Sequence, residues 1–272
     1  MTSRKTAHLL GKLDGMPVEL VRGLSAEDWE RPTIAGVWRV KQVAAHLLDT
    51  QVRKLSMVRD GFWGEGPREG EGLVAFINRL NAEGAALYSR HSPAVLASLL
   101  EISGRESAAF HEGLDPEARA AFAVSWAGES ESANWFDTAR ELTERWHHQQ
   151  QIRLAVDKPG ILTAEFYRPV METFLLGAPY AYREIGASVG QAVRVEVSGE
   201  AGGVWWLVRG EAGWALRDEE QGEVAASVMM PQEVAWRVFT KGIPREEAMA
   251  VCRVEGDAAL GGALFRLTAI VG

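Results

Sequence analysis

The sequence predicts an α+β protein, with a helical N-terminal part followed by a smaller domain of strands and helices. Up to about residue 160, apolar residues recur at the three- and four-residue spacing of amphipathic helices. After Gly190 the pattern changes to short apolar or alternating runs separated by glycine-containing turns, which is typical of strands. We place the boundary between residues 160 and 190 and expect domains at 1–160 and 161–272.

Composition limits the classes of function. Hydrophobic residues make up 47% and charged residues 24% of the 272-residue chain, which is typical of a water-soluble globular protein. No apolar run is long enough to span a membrane, and the N-terminus lacks the apolar core of a signal peptide, so we expect a cytoplasmic protein without a membrane partner. The net charge of −8 argues against a nucleic-acid partner. The single cysteine, Cys252, excludes an intramolecular disulfide and a cysteine-rich zinc site.

Long helices are predicted throughout the N-terminal part, with glycine- and proline-containing segments between them. Their approximate spans are 3–23, 39–59, 73–90, 93–112 and 134–156. Ser25 with Asp28 predicts a capping-box-like start of a short segment, and Ser92 before Pro93 predicts an N-cap followed by the first residue of a helix. The helix that begins at residue 134 is apolar on two sides, which indicates a helix interior to a bundle.

The C-terminal part is predicted to join one or two helices within 163–186 to a group of strands and further helices. The strands are expected at 193–197, 204–209, 214–217 and 223–229, with helices at 232–240 and 258–270.

Two residues of the helix 134–156 form a candidate metal site. Glu144 and His148 are four residues apart, so they lie one turn apart on the same face. The pair alone is weak evidence, because glutamate and histidine often occur at this spacing on solvated helices. His46 on the second predicted helix could add a third ligand, although a partly buried structural histidine is the alternative. Two histidines and a glutamate occur at catalytic zinc with a fourth position open, and manganese, iron, cobalt and nickel also accept such ligands.

The motifs around these residues resemble a known family. Gly36, Trp38 and Val40, followed by His46 and Leu47, resemble the Gly-x-Trp-x-Val-x-x-x-x-x-His-Leu signature of the DinB-like metal-binding bundles. The run Thr143–His148 resembles the Glu-x-Trp-x-His element of one branch, the mycothiol-dependent maleylpyruvate isomerase-like proteins. The run 76–81, Ser92–Pro93 and the C-terminal module are similar to that branch as well.

The resemblance implies a four-helix bundle, a C-terminal domain related to sterol-carrier folds, and His46, Glu144 and His148 as ligands of one divalent metal ion, zinc first. Such bundles can be homodimers. The chain departs from the family where an aspartate usually follows the second histidine, since Gln149, Gln150 and Gln151 stand there. His147 is an alternative ligand, but it is rotated by about 100° around the helix from His148 and is expected to point elsewhere.

The chemistry implied by the resemblance is thiol-dependent. A low-molecular-weight thiol, mycothiol in this family, binds the open metal position as the thiolate and attacks a small electrophile, in S-transfer or in a reversible addition that permits cis–trans isomerisation. One alternative is a non-catalytic binder of lipid or another small molecule with a structural or vestigial metal. Another is a structural bundle without metal.

Other residues are assigned on weaker grounds. Arginines of the C-terminal part could bind a substrate carboxylate, although solvation at the surface is the simpler role for each: Arg209, Arg217, Arg237 and Arg253. Trp38 and Trp146 are expected to pack in the core, with cavity lining as the alternative. Asn78 and Asn81 could bind backbone or a ligand, and Cys252 is expected to pack in the core.

Overall fold

The computed structural model describes residues 5–270, which form two compact units. The helical unit comprises residues 5–121 and 133–160, and the sheet unit comprises residues 122–132 and 161–270. The division into domains at residues 160 and 161 stays our proposal, and the segment 122–132 groups with the sheet unit. The predicted start of the first helix at residue 3 lies outside the described residues.

The helical unit consists of helices joined by loops. They are α1 (Ala7–Arg22), α2 (Ala26–Trp29), α3 (Val40–Lys54), α4 (Leu73–Tyr88), α5 (Pro93–Glu112) and α6 (Asn134–Ala155). A π-helical turn, Leu55–Arg59, continues α3 to the predicted end of that helix. The long helices begin and end within a few residues of the positions that the periodicity predicts, apart from the start of α1. The four-helix bundle itself stays a prediction.

Local hydrogen bonds explain where several helices begin. Ser25 and Asp28 form a reciprocal capping box at the start of α2, which confirms that prediction. Ser92 accepts a hydrogen bond from the backbone of Val95 at the start of α5, which confirms the predicted N-cap. Helix α3 has Arg39 at its N-cap position. The backbone N–H of Arg39 donates a hydrogen bond to the side-chain oxygen of Gln42.

The arrangement of the helices places α6 in the interior. Helix α1 packs against α5 and α6, and α3 packs against α4, α5 and α6. Leu142 and Trp146 on one side of α6 and Ile152 on another are completely buried. This burial on several sides agrees with the two apolar stripes of the sequence. Residues on α6 are therefore held by contacts with at least two neighbouring helices, which gives the side chains between α3 and α6 well-defined positions.

The sheet unit contains helices and a five-stranded sheet. Its elements are α7 (Ala164–Leu175), α8 (Ala178–Ala181), β1 (Gln191–Ser198), β2 (Gly203–Gly210), β3 (Gly213–Arg217), β4 (Glu223–Pro231), α9 (Gln232–Phe239), α10 (Arg245–Val251), β5 (Arg253–Gly256) and α11 (Ala258–Ala263). The strand order is β3-β2-β1-β4-β5, with β1 and β4 parallel and the other pairs antiparallel. Val193, Val195 and Trp205 point from one face of the sheet into its core. The mixed α+β class is confirmed, while the sterol-carrier resemblance stays a prediction.

Two details of the sheet unit differ from the sequence prediction. The last helix was expected to run to residue 270, but α11 ends at Ala263 and only a 3-10 turn, Leu264–Arg266, follows it. Cys252 lies between α10 and β5 and is half-buried rather than fully packed, and this burial raises the pKa of its thiol to about 11. In the range 5–270, no helix combines the length and apolarity needed to cross a membrane.

Candidate metal centre

Helices α3 and α6 bring the three predicted ligands together. His46 follows the buried residue Val43 by one turn on α3, so its ring is directed toward the packed side of that helix. Glu144 and His148 lie on successive turns of α6, which packs against α3. His46 and His148 are buried and Glu144 is half-buried. Residues almost one hundred positions apart in the sequence thus share one site.

The distances within this group suit the coordination of one metal ion. One potential ligand atom of each of the three residues lies within 4.8 Å of the others. His148 Nε2 is 3.5 Å from Glu144 Oε2, and the ring centroids of His46 and His148 are 4.7 Å apart at an interplanar angle of 78°. Two ligands bound to one tetrahedral zinc ion at about 2.1 Å are separated by about 3.4 Å. The distance between His148 Nε2 and Glu144 Oε2 is close to this value.

The surroundings favour the protonation states that metal ligands require. Burial holds the pKa of His46 well below the ordinary value of 6.5, so this imidazole is neutral. Burial acts to raise the pKa of Glu144, but the close contact with His148 and the nearby charges outweigh it and lower the pKa to about 2. A neutral imidazole and an ionised carboxylate are the forms that bind a divalent cation.

An unsatisfied atom of His46 also fits a bound ion. His46 Nδ1 is buried and has no hydrogen-bond partner among residues 5–270. Buried polar atoms nearly always have a partner, because the loss of hydration is otherwise uncompensated. A cation is one partner that a set of two imidazoles and a carboxylate can hold. The residues present therefore fit a divalent metal ion.

Gln151 was not predicted to take part in the site, yet its side chain contacts a candidate ligand. Gln151 Oε1 lies 2.8 Å from His148 Nδ1, and both side chains are buried. Residues three apart on a helix lie on one face, so the spacing of these two residues could have indicated the contact. The sequence contains Gln149 and Gln150 as well, and nothing in their order shows which glutamine reaches the histidine.

Two aromatic rings pack around the histidines. The Trp38 ring is 4.8 Å from the His46 ring between centroids and is half-buried, whereas Trp146 is completely buried in the core as predicted. Trp38 therefore contacts the candidate site directly. The His147 ring lies 4.0 Å from the His148 ring, and His147 Nδ1 donates to the backbone oxygen of Thr143. His147 is close to the site without belonging to the group of three ligand atoms.

A second polar group on α6 has each of its charged side chains in an ion pair, and the sequence did not predict its burial. Lys54 Nζ lies 2.7 Å from Asp137 Oδ2 and 2.9 Å from Glu141 Oε1, and all three side chains are buried. Arg140 donates to the same two carboxylates. Arg145 pairs with Asp14 of α1 and donates to a serine hydroxyl of α5. We call these six residues the ion network.

The remaining candidates are exposed or have partners near them in the sequence or on a neighbouring helix. Asn78 is exposed, and Asn81 accepts a hydrogen bond from Arg53. The four arginines named above lie on elements of the sheet unit, where Arg209 and Arg217 donate to backbone oxygens, Arg237 donates to the carbonyl of Glu233, and Arg253 pairs with Glu255. These contacts are those of surface or structural arginines.

The chain is an α+β protein with a candidate metal centre of two histidines and one glutamate in its helical unit. The family model of the mycothiol maleylpyruvate isomerase N-terminal domain matches residues 17–153, which is half of the chain and includes all three candidate ligands. The chain belongs to this family.

Two solved structures are similar to the chain over most of its length. They are a mycothiol-dependent maleylpyruvate isomerase and a histidine-to-alanine mutant of it. Each is 13% identical, with a TM-score of 0.49, and the match covers 87% of this chain and 86% of the other. No curated protein matches the chain.

Proposed function

We propose that this protein holds one divalent metal ion through His46, Glu144 and His148 and uses it in thiol-dependent isomerisation or S-transfer on a small electrophile. Zinc is the first expectation, and nickel, manganese, iron and cobalt suit the same ligands. The observation that carries the proposal is the meeting of three ligand atoms within 4.8 Å. Membership of the mycothiol maleylpyruvate isomerase N-terminal family supports mycothiol, or another low-molecular-weight thiol, as the second component.

The chain's own residues supply binding and orientation. Three protein ligands leave a fourth position of a tetrahedral ion open, and this is the arrangement of catalytic rather than structural zinc sites. When bound, the ion lowers the pKa of a thiol at that position and so makes thiolate available at neutral pH. Trp38, half-buried beside His46, is placed to shield one side of the reacting groups from water.

The reaction class follows from a thiolate nucleophile. In an isomerisation, the thiolate adds to one carbon of a cis double bond that is conjugated to a carbonyl group, and the electron pair moves to the carbonyl oxygen. Rotation about the resulting single bond and expulsion of the same thiolate give the trans product, so no oxidant is needed. In an S-transfer, the thiolate sulfur displaces a leaving group from the electrophilic carbon; the leaving group departs with its electron pair, and the sulfur stays bonded to that carbon. Maleylpyruvate, which names the similar solved structures, is one electrophile of the first kind.

The test begins with elemental analysis of the purified protein beside a double variant, His46→Ala with His148→Ala. We expect about one equivalent of metal in the wild type, since three ligands hold one ion, and none in the variant. The wild type is then assayed with mycothiol, cysteine or glutathione and a cis-unsaturated keto acid. Turnover should require both the thiol and the metal and should be absent in the double variant.

The outcomes of this test distinguish the three hypotheses about function. Turnover that persists in metal-free protein would overturn the proposal. Stoichiometric metal that supports no thiol-dependent turnover would favour the alternative prediction, a non-catalytic binder of lipid or another small molecule. No metal in the wild type after zinc or nickel is added would favour a bundle without metal.

A further inference from the structure

The three consecutive glutamines after His148 have different surroundings. Gln149 Nε2 donates to the backbone oxygen of Leu13 on α1, 3.0 Å away. Gln150 Nε2 is buried without a hydrogen-bond partner within residues 5–270. Gln151 Oε1 lies 2.8 Å from His148 Nδ1. Only Gln151 is hydrogen-bonded to a candidate ligand, so the three residues are not interchangeable.

The contact with Gln151 determines which nitrogen of His148 can bind a metal ion. An amide oxygen only accepts hydrogen bonds, so Nδ1 of His148 carries a proton, and a metal ion can then be bound only by Nε2. The lone pair is then on Nε2, and Nε2 is the atom that lies 3.5 Å from Glu144 Oε2. The hydrogen bond thus turns the lone pair of His148 toward the other ligands.

Burial makes this hydrogen bond effective. Gln151 is 4% and His148 8% exposed, so water competes little for either partner. Both residues also lie on the same well-packed helix, which limits the rotation of the ring. Metal-ligating histidines generally donate their second N–H to such a partner, and the partner fixes the tautomer and orientation of the ring.

We infer that Gln151 is a positioning residue for the metal centre, which holds His148 with its proton on Nδ1 and its Nε2 directed at the ion. This inference rests on the proposed function, because it assumes that His148 is a metal ligand. It adds a role for a residue that acts through a candidate ligand, His148.

The first test measures zinc affinity by competition with a chelating dye. Gln151→Met preserves the length of the side chain and removes the acceptor, and we expect it to weaken zinc binding by roughly 10–100-fold. Gln151→Glu restores an acceptor and should bind at least as tightly as the wild type. Gln150→Met is the matched control, since it makes the same substitution at a buried neighbour whose Nε2 has no hydrogen-bond partner within residues 5–270, and its affinity should equal that of the wild type.

The second test locates the proton by nitrogen NMR of zinc-loaded protein that carries isotope-labelled histidine. In the wild type, Nδ1 of His148 should bear the proton and Nε2 should bind the metal. A proton on Nε2, or a Gln151→Met variant that binds zinc as tightly as the wild type, would overturn the inference while the proposed metal site stands. A wild type that binds no divalent ion would instead refute the proposed function itself.

Discussion

Helix α6 carries two buried polar groups that differ in how completely their charges are paired. In the ion network, each carboxylate of Asp137 and Glu141 meets both Lys54 and Arg140 within hydrogen-bond distance. In the candidate metal centre, Glu144 has His148 at 3.5 Å, and His46 Nδ1 has no partner in the described part of the chain. Glu141 and Glu144 are three residues apart, so one helix supports both arrangements.

This difference separates a structural role from a ligand role. Buried ions that pair with one another stabilise the arrangement of the helices that contribute them, and removing one partner leaves an uncompensated charge. Buried ligand atoms that lack partners cost stability unless something binds to them. Burial and polarity are common to both groups, so the completeness of pairing, rather than either property, identifies the candidate site.

The largest expected effect is on metal binding by Glu144→Gln. The variant replaces an anionic ligand by a neutral amide, so we expect no stoichiometric metal to be retained, a greater loss than the roughly 10–100-fold that follows removal of a supporting hydrogen bond. The stability of the metal-free protein should change by no more than about 1 kcal/mol, since only the contact of Glu144 with His148 is affected. Elemental analysis and urea unfolding in the presence of a chelator measure the two quantities. Retained metal at wild-type stoichiometry would remove Glu144 from the ligand set.

The matched substitution Glu141→Gln should have the opposite effect. It leaves Lys54 and Arg140 with one anion fewer in a buried position, and we expect a loss of about 3 kcal/mol in the free energy of unfolding. The folded variant should still bind metal, because Glu141 is not among the three ligand atoms. Urea unfolding of Glu141→Gln and Glu144→Gln under the same conditions compares their free energies of unfolding. If Glu141→Gln lost metal and kept its stability, the distinction between the two groups would be wrong.

A smaller effect is expected on the free energy of unfolding when the pH falls, because His111 of the helical unit is buried. Burial, followed by the positive charge of Lys54, lowers the pKa of His111 to about 3, while its ordinary value is 6.5. Below pH 6.5 the unfolded chain binds a proton that the folded protein does not, so stability is lost as the pH falls from 6.5 toward 3. One such proton changes the free energy of unfolding by about 1.4 kcal/mol per pH unit.

The variant His111→Gln isolates this contribution, since glutamine can still bond Thr138, the partner of His111 Nδ1, and cannot titrate. Urea unfolding of metal-free protein between about pH 7 and pH 5 should give a slope that is shallower in the variant by roughly one proton over most of this range. Metal is removed first, because protonation of the candidate ligands would add its own pH dependence. Equal slopes in the two proteins would contradict the buried, neutral state of His111.

Local patterns predicted the elements of this fold with good success because helix and strand periodicity depend on residues close together in the chain. The N-cap at Ser92, the interior position of α6 and the spacing of Glu144 and His148 all follow from such patterns. The local pattern gave a wrong prediction near the C-terminus. There the apolar run after Ala258 predicts a helix to residue 270, but α11 ends at Ala263. An apolar run can be buried as irregular chain just as well as in a helix, and the sequence alone does not distinguish the two.

The sequence by itself determined the α+β class, the helices α3 and α6 and, through the motifs around His46 and Glu144, the resemblance to the family. Only the tertiary structure decided that Gln151 contacts His148, that Trp38 lies on His46 and that the ion network is buried. The physical reason is that periodicity records which residues are apolar, whereas a polar residue on α6 becomes buried when a partner on another helix, such as Lys54, neutralises it. Such pairings join residues far apart in the chain, and no local pattern contains them.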